Sequence, residues 1–258
     1  MFAITGQKNE SEIKLLKLKK YLPLFIACPY TRAIFLGGST SLGTARKESD
    51  IDIFVVSKNN RVWLNKFFMT LALSFAGERR TKKILTDKFC LNVFLSNKNP
   101  VLPHCDSVGA IFYKNLLPAW SADEDEIKNF WEANSWIKKY SDVSPISQKK
   151  MFESNPAHKK FMCWMFADFA RNFFEKFFDF TGLGFVMEKI SFKIQMRYLK
   201  NRFEKSGGYA SEESDFFVTP QLIAYHFPVS NYHRELKNMW KSSTAPDQNS
   251  QIDPKKPR

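Results

Sequence analysis

The chain has 258 residues, enough for one large domain or two small ones, and its 39 Lys and Arg against 26 Asp and Glu leave a net charge of +13, an excess that suits a polyanionic partner. Its four cysteines, Cys28, Cys90, Cys105 and Cys163, lack CxxC spacing and a neighbouring histidine cluster, which argues against a zinc site or a disulfide framework and suits free thiols in a reducing cytoplasm. The N-terminus lacks an apolar run with a small-residue cleavage site, and the most apolar stretch, residues 161–180, carries Asp168, Arg171, Glu175, Lys176 and Asp179, so neither secretion nor stable membrane insertion is expected.

In chain order, residues 10–28 read as an amphipathic helix with Ile13, Leu16, Leu18 and Leu22 on its apolar positions. "AIFLGG" and "IDIFVVS" read as strands, and "RVWLNKFFMTLALSFAGE" as a helix that Gly77 can end in a left-handed cap. "KFCLNVFLS" reads as a third strand, an order that predicts an α/β or α+β sheet. Past residue 105 strand-like runs give way to "DEDEIKNFWEANSWIKKY", whose acidic start suits a helix N-terminus. From Pro156 to Lys205 the pattern is helical, broken near Gly182 and Gly184, and nine of the 26 phenylalanines lie between Phe161 and Phe185, which predicts a buried helical interface or bundle core. The second helix there, residues 188–205, has six basic against two acidic residues and is either RNA-facing or a solvated face. Residues 205–217 read as a Gly/Ser loop, and residues 241–258 as a disordered tail without apolar periodicity.

The chemistry concentrates in "FLGGSTSLGTARKESDIDIFVV", Phe35 to Val56. Side chains alternate along a strand, so Asp50 and Asp52 project one way while Ile51 and Ile53 turn to the core. Two carboxylates ~7 Å apart along one strand can converge on a hard cation such as Mg2+. Gly37, Gly38 and Ser39 end the preceding strand, where glycines allow a ligand to approach backbone N–H groups and form an anion site. A phosphate beside a metal is the arrangement that phosphoryl transfer requires.

This order of apolar strand, Gly-Ser, a glycine four residues on (Gly43) and Ser-Asp-hydrophobe-Asp eleven residues after Ser39 resembles the DNA polymerase β-like nucleotidyltransferase superfamily over Ala33 to Leu95. The resemblance implies a small mixed β-sheet with flanking helices over residues 1–105; with the mainly helical region that the residue pattern gives over residues 106–240, the expected fold is α+β. It implies an NTP on Gly37, Gly38 and Ser39, Mg2+ (or Mn2+) on Asp50 and Asp52, and transfer of a nucleoside monophosphate to an acceptor hydroxyl. Relatives carry a third carboxylate on a later strand; here the matching position is Asn92, which shares a face with Cys90 and Phe94. An amide takes up no proton at neutral pH. Three readings follow: an enzyme whose acceptor loses its proton by another route, one that uses Asp87, or a degenerate member that binds nucleotide or RNA without catalysis.

Net charge favours an RNA acceptor, a tRNA end among the options, with a protein or a small molecule as the alternatives. Arg46 and Lys47, in the loop before the acids, are candidate phosphate contacts; Arg79, Arg80, Lys82 and Lys83 are candidate nucleic-acid contacts or a solvated loop. His226 and His233 lack metal-like spacing and read as structural.

Overall fold

The computed structural model describes residues 9–81, 83–103, 105–140, 158–204 and 216–225; Lys82, His226, His233 and the tail after residue 240 lie outside them. Helix α1 runs over Glu10–Ala27, and the Asn9 side chain accepts from the Ser11 N–H to cap it. Strand β1 (Thr31–Gly37) is joined to β2 (Ile51–Ser57) by a segment holding the one-turn helix α2 (Gly38–Ser41). Helix α3 (Val62–Phe75) ends as the sequence predicts: Gly77 adopts φ 67°, with Gly77 N–H on the Ser74 carbonyl and Glu78 N–H on the Leu73 carbonyl, a Schellman cap. Strand β3 (Phe89–Ser96) follows. Next come α4 (Ser107–Tyr113), β4 (Leu117–Ser121), α5 (Glu124–Ala133) and a 3-10 turn over Ser135–Tyr140. Helices α6 (His158–Phe180) and α7 (Leu183–Glu204) and the short strands β5 (Phe216–Val218) and β6 (Leu222–Tyr225) complete the described chain.

The fold is α+β: one mixed six-stranded sheet of order β4-β1-β2-β3-β6-β5, with flanking helices. Only β2 and β3 pair in parallel, because the α3 crossover returns the chain to the same end of the sheet; the other neighbours are antiparallel. Three strands beyond those read from the sequence complete the sheet: β4 on the β1 edge, and β6 with β5 on the β3 edge. The sheet thus takes strands from both sides of residue 105.

Alternation sorts the strands onto two cores. Ile34, Leu36, Ile51, Ile53, Val55 and Phe94 pack with α1 and α3 on one face. Phe35, Phe54, Val56, Val93 and Leu95 pack on the other against Tyr113, Ile127, Phe130 and Trp131. The diacid strand therefore sits at the centre of the sheet, covered on both faces.

Helices α6 and α7 correct one expectation. The hinge is at Gly182 (φ 69°) and Gly184 lies inside α7, but the phenylalanines are not a bundle core: Phe166, Phe169, Phe173, Phe177 and Phe180 are exposed, Phe180 by 92%. The reason is electrostatic. The inner face of this helical hairpin carries the acids that answer cations and amides beneath it. Glu175 pairs with Arg32 (2.7 Å) and accepts the Tyr30 N–H (2.6 Å). Asp179 pairs with Lys58 (2.7 Å) and Arg61 (3.1 Å), and Glu188 accepts the N–H groups of Trp63 and Leu64 at the start of α3. Helical periodicity then turns the aromatic positions outward. Removing Glu175 as Glu175→Ala should leave a partly buried guanidinium and an amide without their carboxylate and cost about 3 kcal/mol; an unchanged denaturation midpoint would show that the Glu175 contacts do not help to hold the hairpin.

Among the described residues, no helix is long and apolar enough to cross a membrane.

Candidate active site

The β1–β2 ladder places Gly37 opposite Asp52, so the glycine turn and the acids meet at one end of the hairpin. Gly38 holds φ 66°, a left-handed conformation that side-chain-bearing residues reach at a cost. A Cβ there would stand 2.1 Å from Asp52 Oδ2. Two requirements thus coincide at one residue: the turn needs positive φ, and the carboxylate needs the vacant space. Gly37 is confined differently, since a Cβ on it would meet the Phe54 ring at 2.5 Å.

Strand β3 completes the group. Its parallel register sets Cys90 beside Asp52, pairs Leu91 with Ile53, then pairs Val93 with Phe54. Asn92 is the residue the ladder skips, a β-bulge that re-aims its side chain. The Asn92 Nδ2 donates to Asp52 Oδ1 at 3.2 Å, so this amide lies against the acids, on the face expected from the sequence. Asp50, Asp52 and Cys90 each offer one ligand atom, all within 4.8 Å of one another. Arg80 reaches the same point: its Nε is 2.9 Å from Asp50 Oδ2, and its Nη1 donates to Cys90 Sγ at 3.2 Å.

Burial, and next the Asp50 charge, push the Asp52 carboxyl up to about 7, against the opposing pull of Arg80, Cys90 and Asn92. Burial and the two acids likewise push the Cys90 thiol up. The donor set fits a cation: two carboxylates and a sulfur converge, and a tethered guanidinium bridges two of them.

The other predicted residues fall as follows. Ser39 is half-buried in α2, its carbonyl accepting the Thr44 N–H at 2.9 Å. Arg46 and Lys47 are exposed in the segment before β2, as are Arg79 and Lys83 in the segment before β3. Of the described members of the basic run, Arg80 is the one brought onto the acids. Asp87 is engaged elsewhere: it pairs with the fully buried Lys14, and its carbonyl accepts from Lys17 at 2.7 Å, tying α1 to the start of β3. Sequence reasoning missed Arg80 and Cys90 as members of the site. The signal for Cys90 was present in its sharing a strand face with Asn92, whereas the approach of Arg80 depends on the fold of a loop.

Residues 15–160 match the family described as nucleotidyltransferase domain. One solved structure, titled "Crystal structure of the toxin-antitoxin with AMP-PNP", is similar at 19% identity and a TM-score of 0.30, covering 50% of this chain and 87% of that one, a likeness too distant to carry an argument. No curated protein matches the chain.

Proposed function

The chain belongs to the nucleotidyltransferase-domain family, and on that premise we propose that it moves a nucleoside monophosphate from an NTP to an acceptor hydroxyl with the help of a divalent cation, Mg2+ in the first instance and Mn2+ as the alternative. One observation carries the reading: the glycine turn and the acids are brought to the same end of the sheet, with Asp52 filling the space that Gly38 leaves open.

In this reading Gly37, Gly38 and Ser39 cradle the triphosphate through backbone N–H groups. Asp50 and Asp52 hold the cation, which when bound neutralises charge on the transferring phosphoryl group. Asn92 orients Asp52 through its amide N–H. The acceptor oxygen bonds to the α-phosphorus, the bond to the bridging oxygen breaks, and pyrophosphate leaves with that electron pair. The acceptor proton passes to solvent, since the Asn92 amide takes none up. In this reading Arg46 and Lys47 meet phosphate from the exposed loop, and Arg80 would do the same if Asp50 were engaged by a bound cation. Positioning and electrostatics supply the catalysis.

The RNA-acceptor reading rests on the net charge of +13. The binding-only reading rests on Asn92, an amide where a base would be expected. Incubation with each α-labelled NTP, Mg2+ or Mn2+ and total RNA separates them. The expected result is labelled RNA, with binding that weakens steeply as salt rises, in proportion to the phosphates neutralised. Label on protein would move the acceptor to a polypeptide, and nucleotide binding with no label under either metal would establish the binding-only reading.

A further inference from the structure

We propose that Cys90 is the third metal ligand, so that the site is a mixed carboxylate–thiolate centre that selects a thiophilic divalent cation of the Zn2+ or Co2+ kind over Mg2+. The inference rests on the proposed function only in taking Asp50 and Asp52 as cation ligands, and it departs from that reading in the metal.

Geometry carries it. Cys90 Sγ falls within the same 4.8 Å group as the Asp50 and Asp52 oxygens, because the parallel register sets Cys90 directly beside Asp52. The bulge then withdraws Asn92 from the ladder and commits its N–H to Asp52. With its N–H turned to a carboxylate, Asn92 serves to orient Asp52, and the Cys90 sulfur completes a three-sided group with the two acids. Independently, the Arg80 guanidinium shows where positive charge settles: it bridges the Asp50 carboxylate at 2.9 Å and the Cys90 sulfur at 3.2 Å. A cation in its place would meet both groups at once.

Chemistry sets the preference. Carboxylate and water oxygens suit Mg2+, whereas a thiolate favours softer ions, and a metal deprotonates a thiol that coordinates it. The thiol proton is released to solvent as the sulfur–metal bond forms. Arg80, displaced from both partners, is the tethered competitor that the metal must outbid, so a cation with strong sulfur affinity has the advantage over one bound by the two acids alone.

The test is a Co2+ titration of the full chain carrying Cys105→Ser and Cys163→Ser, which remove the two exposed thiols. The expected result is a thiolate-to-cobalt charge-transfer band that saturates at one ion per chain, persists in excess Mg2+, and is lost in both Cys90→Ser and Asp50→Asn. Cys90→Ser should weaken Co2+ binding by about 10- to 100-fold while leaving the far-ultraviolet circular dichroism unchanged. Cys90→Asp should restore binding without the band and narrow the preference over Mg2+. Co2+ or Mn2+ binding that depends on Asp50 but shows no sulfur band would overturn this inference and leave the two-acid site standing. Failure of the wild-type chain to bind any of these cations would overturn both.

Discussion

Asp52→Asn is expected to abolish nucleotidyl transfer, by on the order of 10³-fold or more, while raising the melting temperature of the metal-free protein at pH 8. The loss follows from the carboxylate's part in holding the cation, a contribution of several kcal/mol at about 1.4 kcal/mol per tenfold in rate. The stabilisation follows from linkage. The folded carboxyl, pushed up to about 7 by burial and by the Asp50 charge, stands above its unfolded value of about 4. A raised value of this kind contributes stability that is fully present below pH 4 and is lost as pH rises through 7. Above that window the wild-type chain carries a repulsive, half-buried pair that the amide relieves, by about 2 kcal/mol after allowance for solvent, or roughly 5 °C. Melting both proteins in chelator at pH 5 and pH 8 checks the sign: the difference should be small at pH 5 and open at pH 8. Equal differences at the two values would mean that the carboxyl is not perturbed.

Gly38→Ala is expected to reduce transfer by about 10²-fold although every metal ligand remains. The new methyl would occupy the space 2.1 Å from Asp52 Oδ2, and the carboxylate must turn away to admit it. A displacement of ~1 Å in a catalytic group can cost this much. The left-handed backbone adds a stability penalty of about 1 kcal/mol. Gly43 supplies the control, because it too holds a positive φ, 73°, but nothing lies within 4 Å of its would-be Cβ. Gly43→Ala should therefore lose similar stability and keep its activity. Were both variants equally active, the close approach at Gly38 would have no bearing on the chemistry.

The elements around the acids were legible in the sequence because strong local signals agree there. The expected strand over "IDIFVVS" is β2 residue for residue, and α1, α3 and β3 lie within a few residues of their expected bounds. What escaped was set by tertiary pairing. Strand β4 contains Pro118, which demotes a run as a strand, yet it is tolerated here at the sheet edge. Strands β5 and β6 are three and four residues long, too short for periodicity to show. Simple alternation put Cys90 and Asn92 on one face, as found, but the bulge at Asn92 has no local signature, so alternation alone could not give the register that sets Cys90 beside Asp52. The aromatic face of α6 was misread because apolar periodicity says which residues share a side and not which side faces inward. Glu175 and Asp179 decide that, through partners more than a hundred residues earlier in the chain.

The pairing of β6 with β3 bears on how the protein is made. Residues 93–95 of β3 find their partners at residues 222–224, of which Ile223 and Ala224 are fully buried. During synthesis, then, β1, β2 and β3 can assemble long before β6 exists, and the nascent chain presents the Val93-Phe94-Leu95 edge with its hydrogen-bonding groups open. Such an edge invites pairing with another chain, the usual route to aggregation of partly built sheets. The acid-bearing end of the sheet is thus laid down well before the strand that seals its β3 edge, and slowing synthesis between the two is expected to lower the yield of folded protein.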